Sequence, residues 1–157
     1  MNAAVNAFFL ILKLLSLYFL VVSLFSLCKR KMQKSSTTQR RFAVLIAARN
    51  EESCIAGLIE SLLAQNYPSE LFDIWVLPNN CTDHTADAAR HAGGKVLEMP
   101  TSIHSKGAAL QYAANTLLHG SRYYDAFCVF DADNEVDPAF LSEMNQALSR
   151  SAIVKSR

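Results

Sequence analysis

The sequence predicts an α/β fold: an open, mostly parallel sheet with helices on both faces, preceded by one transmembrane helix. Three observations lead there. Residues 3–28 are almost entirely apolar, whereas from Lys29 onward the composition is that of a water-soluble chain. Short runs of strand formers then alternate with stretches of helical periodicity. The polar clusters that look chemical, Arg49-Asn50-Glu51, Asn79-Asn80 and Asp131-Ala132-Asp133, each follow directly on one of those apolar runs.

The amino-terminal segment comes first. Ala7–Cys28 spans 22 residues with one charge, Lys13, and a helix of that length covers about 30 Å, the thickness of a bilayer core. Fifteen of these residues are Leu, Ile, Phe or Val, each favouring insertion by roughly 0.3–0.6 kcal/mol near mid-membrane. Together they outweigh the roughly 2.5–3.5 kcal/mol that a central lysine costs, and Lys13 lies off-centre, where its stem can snorkel. A cleaved signal peptide would carry cations before the apolar run and small residues at the cut; here the cations follow. Lys29, Arg30, Lys31, Lys34, Arg40 and Arg41 place the carboxyl side in the cytoplasm by the positive-inside rule. The expected organisation is an anchor at 1–28, a basic polar linker at 29–41 and a folded domain at 42–157, held single-pass at the cell (inner) membrane.

Along the folded part, Phe42–Ala47 reads as a strand. Ile55, Leu58, Ile59, Leu62 and Leu63 recur at helical spacing on one apolar face, and Tyr67-Pro68 closes that helix. Ile74–Leu77 is a second strand. Thr85–Ala92 is an alanine-rich helix stopped by Gly93-Gly94, and Val96–Met99 is a third strand. A helix from about Gly107 to Leu118 sets Leu110, Ala114, Leu117 and Leu118 on one side. Ala126–Phe130 is a fully apolar strand, expected to be central. Asp137-Pro138 opens a helix to about Leu148 as N-cap and first residue, and Ala152–Lys155 begins another strand. Strand and helix alternating in this way call for a parallel sheet, whose ligands sit beyond the carboxyl ends of the strands.

Composition excludes some functions. The net charge is +1 and the cations crowd locally instead of forming a stripe on the folded part, so nucleic acid is not the expected partner. Cys28, Cys54, Cys81 and Cys128 form no CxxC pair and read as small buried hydrophobes in a reducing compartment. The histidines form no ligand pair.

Asp131-Ala132-Asp133 carries the chemistry. Two carboxylates one residue apart at a strand end can turn toward one point. A magnesium-type ion takes one or two such carboxylates together with substrate phosphates, and between Asp133 and a diphosphate it would neutralise a departing leaving group. A solvated acidic turn is the plain alternative. Haloacid dehalogenase-type phosphatases also use Asp-x-Asp after a strand, but they want Thr or Val where this chain has Glu135, and on the first strand, not about the fourth.

The full set of motifs resembles family 2 glycosyltransferases. Ile46-Ala47-Ala48-Arg49-Asn50-Glu51-Glu52 is similar to their I-P-A-R-N-E-E segment, and Asn79-Asn80-Cys81-Thr82-Asp83-His84-Thr85 to their D-N-C-T-D-x-T. Ser105-Lys106-Gly107-Ala108-Ala109-Leu110 resembles G-K-G-x-A-L. Phe130-Asp131-Ala132-Asp133-Asn134 with Asp137-Pro138 and Phe140-Leu141 resembles D-A-D-N-x-x-D-P-x-F-L. The four motifs occur in order over about 42–150, most like membrane-bound, processive or polysaccharide-type members.

The resemblance implies a GT-A fold and a metal-dependent hexosyl- or N-acetylhexosaminyltransferase. Its donor would be a nucleotide sugar, most often a uridine diphosphate sugar, and its acceptor a glycan or a lipid-linked molecule. It assigns Ala47, Arg49, Asn50 and Glu51 to the nucleoside and diphosphate, Asn79 to the base and Lys106 to the diphosphate. Asp131 and Asp133 would hold ribose and a metal, Mg2+ or Mn2+. Lys106 reads equally as a solvated lysine at a helix start, Glu52 as a first-turn acid, and Asp83 with Thr85 as a helix cap. Ala47 replaces the family's usual proline and Asn79 its usual aspartate; an amide oxygen still accepts the N3–H of uracil. The family's later acidic general base and its Q-x-x-R-W segment have no counterpart up to Arg157, so a truncated chain is expected. The alternative function is a membrane-tethered module that binds nucleotide sugar without transferring it.

The topology is directly testable. A reporter fused at Ser36 is expected to be active only in a form that works in the cytoplasm; strong activity of a periplasmic or extracellular reporter there would reverse the orientation.

Overall fold

The computed structural model describes residues 3–27 and 38–148, in two compact units divided between Ser35 and Ser36. The first is one helix, α1 (Ala3–Leu27), 25 residues long and so about 37 Å at 1.5 Å per residue. Its side chains from Phe8 to Leu20 are exposed, among them Leu10, Ile11, Leu14 and Phe19. Among the described residues no helix is long and apolar enough to cross a membrane. The unbroken run of described side chains, Phe8–Leu20, is shorter than the helix that contains it. Most of the basic linker, 29–37, and the fifth strand expected at Ala152–Lys155 lie outside the described residues.

The second unit is the expected α/β sheet. Strands β1 (Phe42–Ala48), β2 (Phe72–Pro78), β3 (Lys95–Val96) and β4 (Ala126–Asp131) lie in the order β3-β2-β1-β4, and every pairing is parallel. Helices α2 (Ile55–Leu63), α3 (Thr85–His91) and α4 (Lys106–Leu118) connect them and α5 (Phe140–Leu148) follows β4, with a short 3-10 turn at Ser69–Leu71 that the sequence pattern did not suggest.

Side chains alternate across β1, and the two sets meet different partners. Phe42, Val44, Ile46 and Ala48 pack with Ile55, Leu58, Ile59 and Leu62 of α2, Ala89 of α3 and Leu141 of α5. Ala43 and Leu45 face the other way, against Leu77 of β2, Ala113 and Leu117 of α4, and Tyr124. Both faces are therefore covered, three helices on one and α4 on the other.

The helix boundaries have local causes. At the end of α3 the Gly94 N–H bonds the Ala89 carbonyl at 2.9 Å and the Gly93 N–H bonds Arg90 at 3.1 Å, with Gly93 at φ +95°. This is the left-handed cap in which glycine carries no Cβ penalty. A Cβ on Gly94 would stand 3.0 Å from Ile59 Cδ1 and 3.1 Å from the Ala89 carbonyl, so close packing favours the second glycine.

Three expectations are corrected. Strand β3 is two residues long, because beyond Val96 the chain makes one further bond, Leu97 N to the Val76 carbonyl, and turns away. On helix α4 Leu117 is buried and Leu110 packs with it as the spacing places them, but Ala109 and Ala113 share the buried face and Leu118 is 61% exposed. Strand β4 is the outer strand among the described residues, with Val129 half exposed, and the strand expected at Ala152–Lys155 lies outside them. Helix α5 begins at Phe140, because Asp137-Pro138 forms a turn first: Asp137 Oδ1 accepts from Ala139 N at 2.8 Å and its carbonyl from Phe140 N at 2.9 Å.

A buried acid braces the α4 side. Asp73 of β2 is 6% exposed and accepts from the Tyr124 hydroxyl at 2.7 Å and Lys95 Nζ at 2.7 Å, with Arg122 Nε at 3.0 Å. Trp75 Nε1 in turn donates to the Tyr124 oxygen at 3.2 Å. Burial alone would raise the Asp73 pKa, but the bonds from Lys95 and Tyr124 and the charges of Lys95 and Arg122 outweigh it and hold the carboxyl below its ordinary value. A carboxyl depressed in the folded state contributes stability above its unfolded pKa, and that stability is lost as pH falls through the folded one. Thermal unfolding midpoints of the full chain are therefore expected to fall as pH drops below about 4. Asp73→Asn should lower the midpoint at neutral pH and flatten that acid limb; an unchanged limb would remove Asp73 from the account.

Candidate functional site

Numbering along the sheet reverses at β1: β2 and β3 lie on one side and β4 on the other. In open α/β sheets the crevice at such a reversal, beyond the carboxyl ends of the strands, is where ligands bind. The loops after β1, β2 and β4 and the start of α4 all reach that edge, and the candidate residues sit on them.

The register sets Ala47 of β1 directly across from Asp131 of β4. Between Asp131 and Asp133, Ala132 is 3% exposed and belongs to the core, while both carboxylates stand exposed. The turn is closed by Asn134, whose Oδ1 accepts from Asp131 N at 3.0 Å and whose N–H donates to the Asp131 carbonyl at 3.1 Å. Lys106, the first residue of α4, pairs with Asp131 through Nζ and Oδ1. The structure thus brings together two residues that lie 25 positions apart in sequence.

The β1 and β2 loops are stitched to one another. Asn50 takes φ +58° and Asn80 φ +53°, the left-handed region that asparagine tolerates better than other non-glycine residues. Asn50 Oδ1 accepts from Thr82 N at 2.8 Å and from the Thr82 hydroxyl at 3.3 Å. Glu51 N donates to Thr85 Oγ1 at 2.9 Å, Glu52 N to Asp83 Oδ2 at 3.1 Å, and His84 N to Glu52 Oε2 at 3.1 Å. Asn79 is 7% exposed; its N–H bonds the Ala48 carbonyl at 2.9 Å and its Oδ1 accepts from Asn80 Nδ2 at 2.9 Å. Asn80 also reaches the Ile103 carbonyl at 2.7 Å, tying in the segment ahead of α4. Arg49 is exposed beside this network.

Several acids here are occupied internally. Glu51 Oε2 accepts the Cys54 thiol at 3.0 Å. Asp83 Oδ1 takes both the N–H and the hydroxyl of Thr85, at 3.1 and 2.5 Å, which holds its carboxyl below the ordinary range. Thr85, fully buried, is the residue sequence reasoning undervalued: it bonds the β1 loop as well as beginning α3. Its only advance signal was a threonine two places after an aspartate at a helix start. The bond to Glu51, then burial, raises the Cys54 pKa, and burial pushes Cys128 up to about 12. Cys54, Cys81 and Cys128 are free.

For a metal, the donor set fits a hard cation that keeps substrate phosphates among its ligands. Among the described residues no three His, Cys, Asp or Glu side chains converge, whereas Asp131 and Asp133 offer the one or two carboxylate oxygens that a Mg2+-type ion uses. A groove of about 480 Å3 runs beside them, lined by Cys54, Gly57, Ser61, Asp133, Asn134 and Glu135.

Known proteins bear on this edge. The model of glycosyl transferase family 2 matches residues 43–155. A beta-monoglucosyldiacylglycerol synthase of Nostoc sp. is 40% identical over 43 residues, 27% of this chain and 9% of the relative. Among solved structures, the mannosyltransferase PcManGT from Pyrobaculum calidifontis, in complex with GDP-Man and Mn2+, superposes with a TM-score of 0.66 at 19% identity, covering 85% of this chain and 39% of that one. Glucosyl-3-phosphoglycerate synthase from Mycobacterium tuberculosis, with Mn2+, UDP and glucosyl-3-phosphoglycerate, gives 0.50 at 23% identity, with 65% and 37% covered. At these identities the structural likeness is one of fold. The chain spans about a tenth of the curated relative and under two fifths of the solved chains.

The network around Asn50 yields a prediction. Asn50→Ala removes the acceptor for Thr82 and leaves a Cβ residue at positive φ, so it should cost about 1–3 kcal/mol of unfolding free energy. Asn50→Gly loses the same acceptor but relaxes the backbone and should cost less. Equal losses in urea unfolding would show that the left-handed turn is not the constraint.

Proposed function

Because the chain belongs to glycosyl transferase family 2, with a GT-A-like sheet, we propose that it binds a nucleoside diphosphate sugar at the carboxyl edge of β1, β2 and β4 and transfers the sugar to a membrane-associated acceptor. The observation that carries this reading is the meeting of Lys106 with Asp131 at the sheet's reversal point, with Asp133 exposed beside them. A diphosphate needs cationic partners and a ribose needs acceptors; Lys106 and Asp131 supply one of each.

Asn79, nearly buried at the end of β2, is suited to accept the N3–H of uracil. The loop of Ala47, Arg49, Asn50 and Glu51 would pass along the nucleoside and diphosphate, Arg49 contributing charge and Glu51 holding the loop through its bonds to Thr85 and Cys54. Asp131 and Asp133 would hold Mg2+ or Mn2+, which when bound supplies charge stabilisation to the leaving diphosphate. The Mn2+ and nucleotide complexes of the two structural neighbours support both the donor class and the metal.

The acceptor is proposed to be a glycan or a lipid. The curated relative's name joins glucose to diacylglycerol, and the apolar run of the sequence at 7–28 is what supports a membrane anchor. The cations that follow α1 in sequence support a domain facing the cytoplasm, where nucleotide sugars are made.

A uridine diphosphate sugar is expected to bind at least about tenfold more tightly with Mn2+ or Mg2+ than with chelator, the scale of one charge-assisted contact. Asp133→Ala should abolish the difference without changing the unfolding midpoint. Calorimetry giving equal affinities with and without metal would overturn the metal reading.

A further inference from the structure

Lys106 is not placed where helix stability would put it. A cation at a helix amino terminus opposes the macrodipole, and the first turn of α4 contains no acid to offset it. The helix is instead capped by Ser105, whose Oγ accepts from Ala108 N at 3.2 Å. What holds the ammonium is Asp131 alone among the described carboxylates. The two side chains are 50% and 59% exposed, so the pair is solvated and readily exchanged. Asp131 itself does not move with it: its backbone is clamped on both sides by Asn134 and it ends a strand paired to β1.

We propose that Lys106 is an internal counter-ion of the Asp131 carboxylate. It occupies the Asp131 carboxylate while no donor is present, which keeps a free divalent cation from binding there. When a nucleotide arrives with its cation, the ammonium exchanges Asp131 for the diphosphate and frees the carboxylate. Cation and donor thereby bind as a unit, and the site does not fill with metal alone. This deepens the donor-binding reading above and rests on it.

The test compares two affinities in the full chain, Mn2+ alone by electron paramagnetic resonance and uridine diphosphate at saturating Mn2+ by calorimetry. Lys106→Gln is expected to bind Mn2+ alone about three- to tenfold more tightly, the effect of one unit charge at contact distance in water, while binding the nucleotide more weakly. The gap in metal affinity should close in molar salt. Lys106→Arg, which keeps the charge, should bind Mn2+ alone as weakly as the parent. Arg90→Gln, which removes a charge paired with Asp87 and Glu98 outside the site, should change metal-only affinity less than twofold. Unfolding midpoints check that the variants fold; because Lys106 adds nothing to its helix, they should match the parent. If Lys106→Gln binds Mn2+ no more tightly than the parent, or Arg90→Gln gains as much, the counter-ion role is overturned while donor binding stands. A parent chain that binds no uridine nucleotide would overturn both.

Discussion

The burial of β1 on both faces governs the rest of the structure. Phe42, Ala43, Val44, Leu45 and Ile46 are at most 2% exposed, and a strand so enclosed must have a neighbour on each edge and a helix layer on each side. Its two edges are taken by β2 and β4, both parallel. Parallel pairing then forces every connection to run back over a face of the sheet, which brings α2 and α3 to one face and α4 to the other; α5, after β4, packs on the α2 face. The same pairing gathers all carboxyl ends along one edge. Because β1 comes first in the chain and takes neighbours on both edges, the order reverses beside it, and the crevice opens between the ends of β1 and β4.

That edge is built from loops that must satisfy their own polar groups. The β1 loop gives its N–H groups to Thr85 and Asp83, and the β2 loop gives those of Thr82 and His84 back to Asn50 and Glu52. Four side chains therefore do for the loops what a ladder does for strands. The division of labour is visible in the acids: Glu52 and Asp83 are committed to this stitching and Glu51 to Cys54, whereas among the described residues the Asp131 carboxylate is held by a solvated lysine and Asp133 stands exposed. Rigid loops fix the positions of the groups left over for a ligand.

Much of this was legible in the residues. The helical spacing of Ile55, Leu58, Ile59 and Leu62 names the buried face of α2, and Gly93-Gly94 marks the end of α3. What escaped has physical reasons. In α4 Ala109 and Ala113 share the sheet-facing positions with Leu117 and Leu110, because small side chains let the helix lie close, so a leucine count places only part of its face and wrongly adds Leu118. The left-handed turns at Asn50 and Asn80 have no periodic signature, since asparagine is common in ordinary loops. At the site, sequence order placed Lys106 and Asp131 on separate motifs; only the three-dimensional fold joins them.

Two aspartate–cation clusters in the same domain show how environment separates bracing from binding. Asp73 is nearly buried, and Lys95, Arg122 and the Tyr124 hydroxyl all converge on it. Removing one partner there would leave a desolvated charge, so the cluster is locked in place. Asp131 faces water and has one lysine, and an exposed pair of that kind gains little from its own association. Exchange of that lysine for another cation, or of that carboxylate for a phosphate, therefore costs little. Ligand chemistry needs groups in that second condition: charged, fixed in position by the backbone, and not yet committed. The strand-end position of Asp131 supplies the fixation, and its exposure keeps it uncommitted.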